Sequence, residues 1–244
     1  YRIVDENGYR KLMIQGDDNV HLSTMQFAAP DALVSPYTKN MMKLLVFKPQ
    51  PEEMVLIGLG GGQQAKFVHR RMPDTRLVAV EIDPAMVRVA RAYFGVPPDD
   101  ERLSVLVGEG GTYIRSHPYS CDVILSDGYD QKSVLPESLS GEDFYHACHR
   151  ALRAEGIMAV NLYRKERPWC DAHMSMLTQI FPMVMAINTN FDQIVLIVFK
   201  ELPEFDLSAL AERAERLEQC FGLGLADFAR EFTEAYAKKI ATET

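Results

Sequence analysis

Apolar residues along this chain fall into short unbroken runs, separated by stretches with helical spacing. Met54-Val-Leu-Ile57, Leu77-Val-Ala-Val80, Leu103-Ser-Val-Leu-Val107, Cys121-Asp-Val-Ile-Leu125 and Ile157-Met-Ala-Val-Asn-Leu162 are such runs. Their length and near-continuous hydrophobicity predict parallel strands buried on both faces. Between them, helices are expected from Gln63 to about Arg71, over Pro84 to Tyr93 with a proline at the start, and over Thr112 to Ser116. Further helices are expected over Phe144 to Arg153, ended by Gly156, and over Asp171 to Ile180, with strands near Val184 to Asn188 and Gln193 to Phe199. Strands alternating with helices predict an α/β fold with a doubly wound, mostly parallel, Rossmann-like sheet.

The two ends read differently. Arg2 to Asp5 and Arg10 to Gln15 flank Glu6-Asn7-Gly8-Tyr9, and Asn-Gly is a strong hairpin signal. Val20 to Phe27 is expected to add a third strand, and Tyr37 to Phe47 a helix. After Pro203 the pattern becomes amphipathic and helical through Leu210 to Cys220 and Ala226 to Ile240. These helices either cover the sheet or form an oligomer contact. The expected organisation is a small antiparallel β domain with a linking helix over residues 1–48, followed by a Rossmann-like domain over 49–244.

Composition narrows the functional classes. The 244 residues are 47% hydrophobic and 25% charged, with a net charge of -8. No Lys/Arg cluster suggests a phosphate-backbone partner, so nucleic acid is not expected. No stretch reaches the length of a membrane span, and the first residues do not resemble a signal peptide. The four cysteines, Cys121, Cys148, Cys170 and Cys220, form no C-x-x-C pair. They read as reduced thiols in a cytoplasmic protein. His146 and His149 lie three apart on a helix without an evident third ligand, and no metal is expected. Tyr1 is not a start Met, which is compatible with a piece of a longer chain.

Three features are placed at the C-terminal ends of the first three parallel strands, where open α/β sheets bind ligands. Gly58-Leu59-Gly60-Gly61-Gly62 can turn sharply and let a ligand approach the backbone. Glu81, 19 residues after Gly62, can accept both hydroxyls of a ribose, with Ile82 beside it. Gly108-Glu109-Gly110-Gly111 follows the third strand; Glu109 is a candidate acceptor for an adenine amino group, and Gly110 leaves room for the flat base. A Gly-x-Gly-x-x-Gly dinucleotide fingerprint starting at Gly58 would end on Gln63, which weakens a dinucleotide reading without removing it; the acidic-glycine turn after the third strand then favours an adenosyl nucleoside over NAD. The fourth strand ends in Ser126-Asp127-Gly128-Tyr129-Asp130. Its two carboxylates can hold a cationic amine or take a proton from it; capping or turn formation is the structural alternative.

Taken together, Val55-Leu-Ile-Gly-Leu-Gly-Gly-Gly62, Val80-Glu-Ile-Asp-Pro84, Gly108-Glu-Gly110, Ser126-Asp-Gly-Tyr-Asp130, Leu135-Pro-Glu-Ser-Leu139 and Phe144-Tyr145 resemble the spermidine synthase (polyamine aminopropyltransferase) family. The resemblance covers about residues 1 to 200. It implies a Rossmann-like sheet of the class I methyltransferase type. The implied activity moves an aminopropyl group from decarboxylated S-adenosylmethionine to a diamine, leaving methylthioadenosine. Glu81 would match the ribose ligand and Glu109 the acid near adenine. Asp127 would match the carboxylate that assists deprotonation of the amine, and Asp130 the second acid of the family's gate, with Tyr129 between them. Tyr37 would match the tyrosine of a Tyr-His-Glu motif. A homodimer is expected.

The chain departs from that pattern at three places. The family's glycine loop carries an Asp that holds the amine of the propyl chain, whereas here it runs Gly61-Gly62-Gln63-Gln64. Gln63 is the expected substrate contact, without a counter-charge. The gate reads Asp127-Gly-Tyr-Asp-Gln131 without proline, and Lys39 stands where the Tyr-His-Glu motif has its acid. Methyl transfer from S-adenosylmethionine, or nucleoside binding without catalysis, therefore remain alternative functions on sequence grounds. Trp169 is a candidate wall of an acceptor pocket.

Overall fold

The computed structural model describes residues 1–14, 17–130, 134–163, 167–188 and 193–243, and the side chains of these except 17–21, 167–169 and 239–243. Three N-terminal strands, β1 (Arg2–Glu6), β2 (Tyr9–Ile14) and β3 (Asp17–Gln26), form an antiparallel sheet in that order. The β1–β2 turn is Asn7-Gly8, with φ of 52° and 82°. Two consecutive positive φ values match the right-handed twist of the flanking strands, which is why Asn-Gly is favoured there.

The main sheet has seven strands: β4 (Glu53–Ile57), β5 (Arg76–Glu81), β6 (Leu103–Val107), β7 (Cys121–Ser126), β8 (Leu152–Tyr163), β9 (Met183–Asn188) and β10 (Gln193–Phe199). Their order is β6-β5-β4-β7-β8-β10-β9. The first five are parallel to their neighbours, and β10 pairs antiparallel with both β8 and β9. This is a doubly wound α/β sheet whose order reverses between β4 and β7. The loops after those strands diverge there and leave a crevice.

The apolar runs of β4, β5, β7 and β8 are largely buried on both faces, as their composition requires; β6, at the edge of the sheet, departs from that expectation, with Leu106 and Val107 40% and 55% exposed. Met54 and Leu56 enter one core with α2 (Gln63–Arg71), α3 (Pro84–Phe94), α7 (Leu207–Phe221) and α8 (Leu225–Glu243). Val55 and Ile57 enter the other with α4 (Gly110–Ser116), α5 (Glu142–Ala151) and α6 (Arg167–Ile180). The C-terminal helices therefore cover the sheet. Phe47 is their anchor, with ring centroids 5.2 Å from Phe199, 5.9 Å from Phe228 and 5.1 Å from Phe232.

Two expectations are corrected at element level. The helix expected over Tyr37 to Phe47 is α1 (Pro36–Met41) followed by a 3₁₀ turn, Met42–Val46. Met41, Met42, Leu44, Leu45 and Val46 are all buried, and the tighter turn spreads them around the axis instead of along one stripe. The fifth parallel strand starts at Leu152 rather than Ile157, because Cys121 pairs with Leu152 before a register shift.

A lysine is buried in this framework. Lys66, 1% exposed, donates from Nζ to the Phe94 carbonyl at 2.7 Å, at the end of α3. Burial, with Arg70 adding to it, pulls its pKa down to about 8. An unfolded lysine keeps its proton to about pH 10.4. Between those values the unfolded chain binds more protons, so stability rises with pH. Lys66→Met is expected to remove that rise, read as the unfolding midpoint in denaturant between pH 8 and 10; an unchanged slope would contradict it.

Candidate functional site

A cavity of about 490 Å³ lies at the switch point and extends under the N-terminal sheet. Its wall runs from Tyr1, Leu22 and Ser23, past the glycine loop, to Asp127 after β7 and Asn161 and Tyr163 on β8. It brings together Tyr37, Gly58, Gly60, Gln63, Glu81, Ile82, Glu109, Gly110, Asp127, Tyr129 and Asp130. Gly62 is the exception: it caps α2 at φ 71°, and a Cβ there would lie 2.2 Å from Val96 Cγ2. It turns the chain into the helix rather than facing the cavity.

The glycine loop is held by the second strand. The Gly58 amide donates to the Val80 carbonyl at 2.9 Å. The Leu59 amide donates to Glu81 Oε2 at 2.8 Å, and the Asp83 amide to Oε1 at 3.0 Å. Glu81 is 8% exposed and lines the cavity. An ionised carboxylate offers about four acceptor positions. Two are committed to backbone, so capacity remains for a pair of hydroxyls. Ile82, by contrast, is 68% exposed, a large apolar side chain at the cavity edge.

Glu109 has a different commitment from the one expected. It is the N-cap of α4: Oε1 accepts from the Gly111 amide at 2.8 Å, and Oε2 from the Thr112 amide at 2.6 Å and its hydroxyl at 2.7 Å. Burial pushes its pKa up, but the Thr112 and Gly111 hydrogen bonds outweigh it and the net shift is downward. The carboxylate is thus a structural cap on the cavity wall. Gly110 is small for a packing reason, since a Cβ would meet Ile57 Cγ2 at 2.5 Å.

Asp127 is the chemically distinctive group. Its amide donates to the Ile57 carbonyl at 2.9 Å, joining the loops after β7 and β4. Its Oδ1 accepts from Asn161 Nδ2 at 2.8 Å. Burial raises the pKa to about 7, while hydrogen bonding from Asn161 and Tyr37 pulls it partly back. Burial and the Asp127 charge push the Tyr37 hydroxyl well above its usual range, so it stays protonated and can only donate to a carboxylate. Asn161 is 1% exposed, and its Oδ1 is buried without a hydrogen-bond partner. No motif points to Asn161; its signal in the sequence is a lone amide inside the apolar run Ile157 to Leu162.

The remaining expected contacts separate by how their polar atoms are used. The Tyr129 hydroxyl donates to the Asn161 carbonyl at 2.7 Å and accepts from the Tyr163 amide at 3.0 Å, so it ties the loop to β8 and leaves its ring to the cavity. Its ring meets Tyr163 edge-on at 5.3 Å. Asp130 is exposed at the cavity mouth, with Oδ1 accepting from the Val134 amide at 2.8 Å. Gln63 is corrected: its Oε1 accepts from the Val34 amide at 2.8 Å and the Ser35 amide at 3.2 Å, and its Nε2 donates to Ser35 Oγ at 3.1 Å and Ser23 Oγ at 3.4 Å. That amide clamps the segment leading into α1 and carries Tyr37 with it. Gln131 and the Trp169 side chain lie outside the described residues. His146 faces Glu142 at 3.5 Å on the outside of α5.

Residues 35–198 match the family model of the spermine/spermidine synthase domain. The polyamine aminopropyltransferase of Chromobacterium violaceum is 29% identical over 228 residues, covering 92% of this chain and 86% of that one. Its namesake from Neisseria meningitidis is 30% identical, covering 90% and 84%. The human eEF1A lysine and N-terminal methyltransferase is 29% identical over 69% of this chain but only 26% of its own length. Among solved structures, human methyltransferase-like protein 13 in complex with SAH superposes with a TM-score of 0.69 at 26% identity, over 77% of this chain and 92% of the other. A probable spermidine synthase from Corynebacterium glutamicum shares the fold with a TM-score of 0.69 at 18% identity, over 95% and 89%.

Proposed function

The chain belongs to the spermine/spermidine synthase family, and on that premise we propose that it is an aminopropyltransferase acting on a polyamine-type amine. The donor is decarboxylated S-adenosylmethionine. The observation that carries the proposal is Asp127: a carboxyl raised to about 7, facing the same cavity as the glycine loop and Glu81.

The adenosyl part fits along Gly58, Gly60 and Glu81, with Glu81 accepting from the ribose and Ile82, Glu109 and Gly110 bordering the base. This directs the sulfonium toward Asp127. The acceptor enters past Asp130 and the Tyr129 ring. Its amine nitrogen forms a bond to the propyl carbon attached to sulfur. The carbon–sulfur bond breaks, its electron pair stays on sulfur, and methylthioadenosine leaves as a neutral thioether. The nitrogen's extra proton passes to Asp127. A base near pH 7 is matched to that transfer, being ionised often enough to accept and basic enough to hold the proton. Tyr37 and Asn161 orient the carboxylate. No metal enters the scheme. The free cysteines fit a reducing, cytoplasmic setting.

The direct test incubates the protein with decarboxylated S-adenosylmethionine and a panel of amines; absence of methylthioadenosine with every acceptor would remove the proposal. Glu81→Gln is expected to weaken methylthioadenosine binding by about tenfold to a hundredfold in calorimetry, since hydrogen bonds to a charged group contribute about 1.5–3 kcal/mol. Unchanged affinity would unseat Glu81 from the ribose. Methyl transfer is the competing function, favoured by the SAH-bound neighbour. It requires a methylated product from S-adenosylmethionine, with no methylthioadenosine.

A further inference from the structure

Two consecutive glutamines open α2, and the fold treats them differently. Gln63 and Gln64 are 5% and 4% exposed, and both belong to the cavity wall. The Gln63 amide is used at both ends by Val34, Ser35 and Ser23. Gln64 makes one polar contact: its Nε2 donates to Met41 Sδ at 3.3 Å. A thioether accepts but cannot donate, which fixes the amide with nitrogen toward Met41 and the carbonyl turned the other way. Among the described residues, Oε1 has no donor, and it is not sealed off as a buried orphan atom. Gln64 lines the cavity, so a carbonyl held in this orientation and lacking a donor among the described residues can take one from a ligand there.

We propose that Gln64 Oε1 receives the terminal amine of the transferred chain. This rests on aminopropyl transfer as the reaction, and it assigns the donor-tail contact that the saturated Gln63 amide does not make. The chemistry has a consequence for donor choice. From Gly58 to Gln64 the loop and first turn carry no acid. A carbonyl supplies a hydrogen bond without a counter-charge, and the N-terminal end of α2 adds a positive field that favours a carboxylate over an ammonium. The site therefore holds the amine but discriminates weakly against a donor that retains its carboxylate.

The test is calorimetry with methylthioadenosine, which has no transferable chain, and with the decarboxylated and carboxylated donors. Gln64→Met keeps the shape and the packing on Met41. It is expected to leave methylthioadenosine affinity within about twofold and to weaken the decarboxylated donor about tenfold to a hundredfold. Gln64→Glu installs the missing charge, and is expected to tighten the decarboxylated donor and weaken the carboxylated one, separating them at least about tenfold more than in the wild type. Equal losses for methylthioadenosine and the decarboxylated donor in Gln64→Met would mark a structural role and overturn the assignment, as would no loss for either. Should Gln64→Met not fold, an unchanged or reversed donor order in Gln64→Glu overturns it alone. If the binding pattern holds but wild-type protein releases no methylthioadenosine with any amine, the reaction is wrong and Gln64 remains an amine contact. Normal turnover with a failed binding pattern removes Gln64 only.

Discussion

Asp127→Asn is expected to lower the turnover number by about 10²–10⁴-fold, the range of a positioned general base, while leaving methylthioadenosine affinity within a few fold. Asparagine keeps an oxygen for Asn161 Nδ2, so the loop geometry survives and only proton acceptance is lost. In the wild type, kcat/KM should rise with pH on a limb centred near 7, because the proposed mechanism uses the ionised form as base and its pKa is raised to about 7. The variant should lack that inflection. Stability should move the other way. A carboxyl whose folded pKa lies above its unfolded value of about 4 stabilises the fold at low pH, and that contribution is lost as pH rises through 7. At pH 8 the wild type holds a half-buried, desolvated carboxylate, so Asp127→Asn should melt at a higher temperature than the wild type there. Activity within tenfold of wild type, or an unchanged pH profile, would show that the proton leaves by another route.

The largest structural effect is expected from Gly58→Ala. Gly58 has φ 87°, which costs a residue with a Cβ about 1–3 kcal/mol. The added methyl would also lie 2.5 Å from the Asp127 carbonyl oxygen and 3.0 Å from Gly128 Cα. Both neighbours are backbone, so no rotamer relieves the contact, and overpacking adds about 1–3 kcal/mol. The sum, about 2–6 kcal/mol, is a large part of a domain's usual stability of about 5–15 kcal/mol. Chemical denaturation should show it directly. The same contact joins the glycine loop to the loop carrying Asp127, so on the proposed function donor binding and turnover should fall together. A variant that retains wild-type stability would mean that the two loops separate easily, contrary to the hydrogen bond that the Asp127 amide donates to the Ile57 carbonyl.

Much of the architecture was legible beforehand for a simple reason. A strand buried on both faces has to be apolar at nearly every position, and Met54 to Ile57, Leu77 to Val80 and Cys121 to Leu125 are. Asn7-Gly8 was legible because few other pairs tolerate two positive φ values. Placement of Glu81 and Asp127 at one edge followed from the parallel order, since both end strands that point the same way. Boundaries were less legible where tertiary packing overrode local preference, as in the 3₁₀ turn at Met42–Val46.

What the sequence determined by itself was therefore the class of fold, the edge of the sheet at which the cavity opens and the identity of many residues lining it. These depend on local properties: hydrophobic runs, glycine freedom and the ends of strands. Only the tertiary structure decided which polar atoms remain available. Gln63, the expected contact, spends its amide on Val34, Ser35 and Ser23, whereas its neighbour Gln64 does not. Glu109 caps α4, and Asn161, on a strand far along the chain, holds Asp127. Hydrogen-bond capacity is consumed by partners distant in sequence, and the pKa of Asp127 is set by what surrounds it in space. Neither can be read from spacing along the chain.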